Sequence, residues 1–153
     1  MIEIQNSESI DKPQTAQLSV RSSLDALVEI IAWFAQLSRP PIPQPVWLRC
    51  QLALAEGFTN AVRHAHKHLS SDLLIDIEVT VSAQQIVISI WDQGPKFDLM
   101  QKLNQLPSQP DKTAGGGRGL KLMQDIADEL SYQPTPDQRN CLKIVKNWQA
   151  TPN

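Results

Sequence analysis

Residues 73–92, LLIDIEVTVSAQQIVISIWD, constrain the fold of this chain more than any other stretch. Apolar and polar residues alternate there on both sides of a short polar turn. Because successive side chains of a β-strand point to opposite faces, each of these strands has one apolar and one polar face. The pattern predicts a β-hairpin with one face against a hydrophobic core, and its second strand ends at Asp92.

Helical patterns precede and follow this hairpin. A first helix from Leu24 ends at the proline-rich RPPIPQP, and its apolar positions are Leu27, Ile31, Phe34 and Leu37. A second helix is predicted from about Val46 to His68, and its buried face consists of Leu54, Phe58, Ala61, Ala65 and Leu69. A third is expected from Gly119 to about Leu130.

The remaining elements complete a fold of the α+β class. Residues 17–20 are expected to form a short first strand, and a final hairpin ends in CLKIVKNW. We therefore predict a mostly antiparallel sheet with helices packed on one face. One domain over residues 16–150, after a polar segment at 1–15, accounts for the 153 residues.

Composition narrows the possible partners. Sixteen acidic and fourteen basic residues give a net charge of -2 without a basic run, so neither a nucleic-acid surface nor an anionic-membrane surface is expected. Proteins and small molecules are the expected partners. Two cysteines are too few for a disulfide framework, and the first twenty residues lack a signal-peptide pattern, so a reducing cytoplasm is expected.

The second helix carries an unusual polar stripe. Glu56, Asn60, Arg63 and His64 recur every three or four positions and must share one side of the helix, roughly opposite its buried face. A solvated helix surface is the alternative interpretation. His66 and the neighbouring His68, near the helix end, are expected to complement the helix dipole.

The segment TAGGGRGLKLM, residues 113–123, has the properties of an anion site. Its glycines let a ligand approach the main-chain amides, and the following helix directs its unpaired N–H groups at the same place. A polyphosphate is the natural ligand, and Arg118 could add a charge. The sequence is neither a Walker loop nor a dinucleotide fingerprint, and a flexible glycine hinge is the alternative.

Three motifs together resemble those of the GHKL ATPases, which include DNA gyrase, histidine kinases and the anti-sigma factor serine kinases. AEGFTNAVRHAH resembles the N box, WDQGPKFD the first glycine box, and GGGRGL the second glycine box, in the family's order and spacing. The resemblance implies a Bergerat fold, a two-layer α/β sandwich that holds ATP between the N-box helix and a lid of about twenty residues before the glycines.

The resemblance also implies residue roles. Asn60 would bind the Mg²⁺ ion that bridges the phosphates, since amide oxygens suit this hard cation. Asp92 would accept the amino group of adenine, and Gly94 would let the main chain approach the base. Glu56 would be the general base. The phosphates would be held by the second glycine box, which is Gly115, Gly116, Gly117, Arg118, Gly119 and Leu120, with Arg118 at the terminal phosphate.

Two positions depart from the family pattern. Lys96 stands where many members have the second glycine of the first box, and Asn140-Cys141 replaces a Gly-Thr pair that often helps to hold adenine. Asp92 also has another interpretation, because an aspartate before Gln-Gly is a common turn residue.

Glu56 points to one branch of the superfamily. A serine hydroxyl or a water needs a base, whereas an imidazole is already nucleophilic at neutral pH. A small domain without a dimerisation helix pair or a transducer is expected, which is the build of the anti-sigma factor serine kinases. The resemblance implies a homodimeric anti-sigma factor that uses ATP and Mg²⁺ to phosphorylate a STAS-type anti-anti-sigma protein. The alternative is an ATP-dependent binding switch with little or no turnover.

Overall fold

In the computed structural model, residues 10, 12–96, 101 and 118–150 are described. The helices are α1 (Leu27–Gln36), α2 (Gln44–Asn60) and α3 (Arg118–Ile126), and the strands are β1 (Gln14–Arg21), β2 (Leu74–Val81), β3 (Gln85–Asp92), β4 (Glu129–Pro134) and β5 (Asn140–Asn147). A π-helical turn, Ala61–Ala65, continues α2. Among these described residues, no helix has the combined length and hydrophobicity that crossing a bilayer requires.

The strands form one antiparallel sheet in the order β1-β2-β3-β5-β4. The hairpin predicted over residues 73–92 is confirmed as β2 and β3 at the centre of this sheet. Its alternation matches the observed burial, since Ile75, Ile77 and Val79 are almost fully buried. The α+β class, with an antiparallel sheet and helices, is confirmed as well.

The hydrophobic core lies between the helices and the apolar face of the sheet. Phe34 of α1 stacks on Trp47 of α2 with 4.3 Å between ring centroids. Gly57 lets α2 approach the sheet closely, because a Cβ atom there would lie 2.7 Å from Cδ1 of Ile90 and 3.1 Å from Cδ2 of Leu142. This contact places the end of α2 over β3 and β5.

The helix predictions needed three corrections. In α1, Ile30 is fully buried and Ile31 is 36% exposed, so the predicted apolar face was wrong at that position. Leu69 is exposed because the helical turns end before it. Leu130 lies in β4, not in the third helix, since the main-chain N–H of Asp128 already donates to the carbonyl of Val145 in β5 at 2.8 Å.

Candidate nucleotide site

The predicted polar stripe lies at the end of α2. Glu56 and Asn60 are half-buried, whereas Arg63 and His64 are exposed. The α-helix ends at Asn60 because the next five residues form a π turn, closed by a hydrogen bond of 2.8 Å from the N–H of His66 to the carbonyl of Ala61. Such π turns within helices often occur at functional sites.

The Glu56 carboxylate lies against the first turn of α3. A Cβ atom at Gly119 would be only 2.4 Å from Oε2 of Glu56, so any larger residue at 119 would displace this carboxylate. Glu56, from the N box, and Gly119, from the second glycine box, are therefore in contact although they are far apart in sequence. Among the described residues, neither Glu56 nor Asn60 uses its side chain in a hydrogen bond or ion pair.

The other described residues of the second glycine box differ in exposure. Arg118 begins α3 and is exposed, which leaves its guanidinium accessible to an anion. Leu120 is buried in the core, so only its main chain could contact a ligand. Gly115, Gly116 and Gly117 lie outside the described residues, as does the predicted lid at 95–114 apart from Pro95, Lys96 and Gln101.

Asp92, at the end of β3, is a buried carboxylate that accepts three hydrogen bonds from the protein. It is 2% exposed, and a buried charge of this kind must be hydrogen-bonded to be tolerated. Its Oδ1 accepts from the N–H of Gly94 at 2.9 Å and from Nδ2 of Asn140 at 3.1 Å, while its Oδ2 accepts from the hydroxyl of Tyr132 at 2.5 Å. Since a carboxylate offers about four lone-pair sites, Oδ2 retains capacity for one more donor.

Two residues that contact Asp92 had no role assigned from the sequence: Tyr132, which was not singled out, and Asn140, which was noted only as a departure from the family pattern. Asn140 faces Asp92 across the β3–β5 pair, and its Nδ2 also donates to the carbonyl of Gly94 at 2.8 Å. Burial and the bond to Asp92 raise the pKa of the Tyr132 hydroxyl, so this group remains a donor. The departure at Asn140 thus adds two hydrogen bonds to the loop after β3.

The neighbouring departures have less effect on this loop. Cys141 points to the other side of the strand and is half-buried, and burial raises the pKa of its thiol. Lys96 is exposed. Asp92 also acts as the turn residue of the alternative interpretation, since it accepts from the amide two residues on.

His66 does not complement a helix dipole, and that prediction was wrong. Its side chain is 3% exposed, with Nε2 accepting from the N–H of Gln93 at 2.8 Å and Nδ1 lying 3.0 Å from Oγ of Ser22. The reason is the early end of α2, which turns His66 inward, whereas His68 is exposed. Burial lowers the pKa of His66, against a smaller opposite effect of Asp92.

Gly94 packs against the π turn. A Cβ atom there would lie 2.3 Å from the carbonyl oxygen of Ala65, closer than real Cβ atoms come to any neighbour. The family resemblance implies that this glycine admits a base, which stays a prediction, and the structure shows its close approach to the helix end. Gln93 and Gly94 are thus held from the helix side, while Asp92 is held from the sheet side.

Comparisons with known proteins agree with this architecture. The family model described as the histidine kinase-like ATPase domain matches residues 20–146. The anti-sigma F factor of Pasteuria penetrans is 26% identical over 129 residues, which are 84% of each chain. The serine-protein kinase RsbW of Staphylococcus epidermidis is 30% identical over 109 residues, covering 67% of this chain and 69% of the relative.

A further relative aligns over a shorter region. The serine-protein kinase RsbW of Bacillus licheniformis is 34% identical over 88 residues, or 54% of this chain. That alignment spans about half of the Bacillus protein, 55% of its length.

Proposed function

Because the chain belongs to the histidine kinase-like ATPase family, we propose that it binds Mg·ATP beside α2 and acts as an anti-sigma factor with protein-serine kinase activity. The observation that carries this proposal is the contact between the Glu56 carboxylate and Gly119 at the start of α3. It brings a candidate base to the helix N-terminus, where phosphate groups bind well.

The described residues fit a nucleotide. Asn60 is half-buried one helical turn from Glu56, and Mg²⁺ is commonly held by one or two protein ligands together with substrate phosphates. The free lone pair on Oδ2 of Asp92 would accept the amino group of adenine. Arg118 would form an ion pair with the phosphates. The main chain around them would be that of Gly115, Gly116, Gly117, Gly119 and Leu120.

Glu56 gives the site its expected chemistry. Bound ATP supplies the phosphoryl group that is transferred. Glu56 would take the proton from a serine hydroxyl of the partner as the serine oxygen bonds to the γ-phosphorus and ADP leaves. A carboxylate in this place has no use in a protein that only binds ATP, and it therefore favours transfer over the alternative of a binding switch.

The partners follow from the relatives' names and the resemblance. One relative is named an anti-sigma factor and others are named serine-protein kinases, which supports a sigma factor as the target and a protein serine as the acceptor. We propose that the acceptor is a STAS-type anti-anti-sigma protein and that the protein works as a cytoplasmic homodimer.

Calorimetry of variants tests the nucleotide site. Asn60→Ala removes the proposed metal ligand and should abolish Mg²⁺-dependent ATP binding, and Asp92→Asn should weaken recognition of adenine. Glu29→Ala, at an exposed position of α1, serves as the control. Wild-type affinity in both site variants would refute the assignment.

A transfer assay tests the chemistry. With the STAS proteins of the same genome as substrates, Glu56→Gln should bind ATP normally but transfer phosphate roughly 10²–10⁴-fold more slowly, which is the usual contribution of a general base. Glu29→Gln should transfer at the wild-type rate. Equal rates in Glu56→Gln and wild type would remove Glu56 from the mechanism, and ATP binding without transfer to any STAS protein would favour the binding switch.

A further inference from the structure

The loop Asp92–Gly94 is anchored on two sides by different elements. On the sheet side, Tyr132 and Asn140 hold the Asp92 carboxylate. On the helix side, the imidazole of His66 accepts the N–H of Gln93, the residue between Asp92 and Gly94. The main chain that presents Asp92 is thus tied to the end of the N-box helix by a histidine side chain.

The hydrogen bonds define the tautomer of His66. Because the main-chain N–H of Gln93 can only donate, Nε2 of His66 must carry a lone pair, and the ring proton must be on Nδ1. Nδ1 then donates to Oγ of Ser22, 3.0 Å away. Ser22 is itself buried, and its N–H donates to the carbonyl of Leu73 at 2.9 Å. Ser22 therefore orients the imidazole, and the imidazole orients the loop.

His66 supplies a hydrogen-bond acceptor at this position as well as volume. An apolar side chain could fill the same volume, but it would leave the N–H of Gln93 without its acceptor. The affected amide adjoins both the carboxylate proposed to accept adenine and the glycine that packs on Ala65. A shift of this amide would therefore move the recognition group itself.

We propose that His66 is a positioning residue of the nucleotide site, where its Nε2 atom fixes the Asp92–Gly94 main chain for adenine recognition. The inference rests on the proposed function, because it assigns a role within the same nucleotide site. His66 acts through Gln93 and is neither the proposed base nor one of the residues proposed to hold the phosphates. It should therefore affect the affinity for ATP and leave the rate at saturating ATP unchanged.

Three variants separate the acceptor from the volume of the side chain. His66→Leu introduces an apolar side chain that has no acceptor, whereas His66→Gln supplies a side-chain oxygen that can accept from the N–H of Gln93. His68→Leu is the matched control, because His68 is exposed two residues away. For each full-length protein we would measure the Kd for Mg·ATP, the kcat and KM of transfer, and hydrogen exchange at the Gln93 amide without nucleotide.

The expected pattern is specific. His66→Leu should raise the Kd and KM about tenfold and speed exchange at Gln93 by a similar factor, as expected for loss of one hydrogen bond at a partly buried site. His66→Gln should restore both within about threefold. The kcat should stay near the wild-type value in all three variants, and His68→Leu should match wild type throughout.

Any other outcome would contradict either the positioning role of His66 or the proposed function. Wild-type affinity in His66→Leu, or an affinity in His66→Gln as low as in His66→Leu, would overturn the positioning role. If His66→Leu does not fold, Ser22→Ala replaces it, because it releases Nδ1 while keeping the imidazole, and an unchanged Kd in Ser22→Ala would overturn the inference. Wild-type protein that binds no nucleotide would instead refute the proposed function, whatever the exchange at Gln93.

Discussion

Gly94→Ala is the sharpest test of how the loop after β3 is fitted to the end of α2. The new Cβ atom would lie 2.3 Å from the carbonyl oxygen of Ala65 and 2.8 Å from its carbonyl carbon. Both are main-chain atoms of a helical turn, so neither can move aside as a side chain can. The loop must move instead, and this would stretch the hydrogen bond from Gln93 to His66 and that from Asn140 to Gly94, each 2.8 Å long.

The expected loss of stability in Gly94→Ala follows from these contacts. Overpacking of this kind destabilises proteins by about 1–3 kcal/mol, and two weakened hydrogen bonds at roughly 1 kcal/mol each lie in the same range. Urea denaturation should therefore show a free energy of unfolding lower by about 2 kcal/mol. Calorimetry should show ATP binding weakened by about tenfold or more, because the carboxylate of Asp92 moves with the loop.

Gly57→Ala is the matched control. Its Cβ atom would also be crowded, but by Cδ1 of Ile90 at 2.7 Å and Cδ2 of Leu142 at 3.1 Å, which are the ends of flexible side chains. Alanine inside a helix also gains about 1 kcal/mol over glycine, which offsets the repacking. We expect a net change within about 1 kcal/mol. Equal stability and equal ATP affinity in Gly94→Ala and wild type would refute the reasoning.

Two further predictions concern the groups around Asp92. Tyr132→Phe removes a hydroxyl donor from a buried carboxylate and should lower the free energy of unfolding by about 1.5–3 kcal/mol in urea denaturation, and no measurable loss would contradict the assigned bond. Burial holds the pKa of His66 below its ordinary value of about 6.5, so below that pH the unfolded chain takes up the proton first. Stability should therefore fall as the pH is lowered below about 6.5 and be unaffected by His66 above it. In denaturation curves across pH, His66→Gln should lack this component, and an identical pH dependence in the two proteins would contradict it.

The central hairpin could be predicted from the sequence because strand alternation is a local signal. Ile75, Ile77 and Val79 share one face whatever the rest of the chain does. The buried face of α1 was harder to predict, because Ile30 and Ile31 are adjacent isoleucines and both fit a helical period. Only the position of α1 on the sheet selects Ile30.

Only the site residues that lie within the sequence motifs could be predicted. The glycine run indicated an anion site, and the resemblance of the three motifs to those of the GHKL ATPases implied nucleotide-binding roles for Glu56 and Asn60, which stay predictions. The roles of Asn140 and Tyr132 depend on the pairing of β3 with β5 and of β5 with β4, which brings residues 40 and 48 positions away in sequence to Asp92. No local pattern reports such a register.

The π turn explains why the prediction for His66 was wrong. It also connects the residues proposed to bind adenine with those proposed to act on the phosphates. In a continuous α-helix, the N–H of His66 would bond to the carbonyl of Val62, whereas here it bonds to that of Ala61. The residues after Asn60 are therefore displaced by one position from the period of the α2 stripe, which carries His66 away from the solvent side and onto the main chain of Gln93. Because Glu56 and Asn60 precede the turn while Ala65 and His66 close it, one continuous helical segment contacts both the start of α3 and the Asp92 loop. The width of that turn thus sets where the proposed adenine-binding group lies relative to the proposed base and metal ligand.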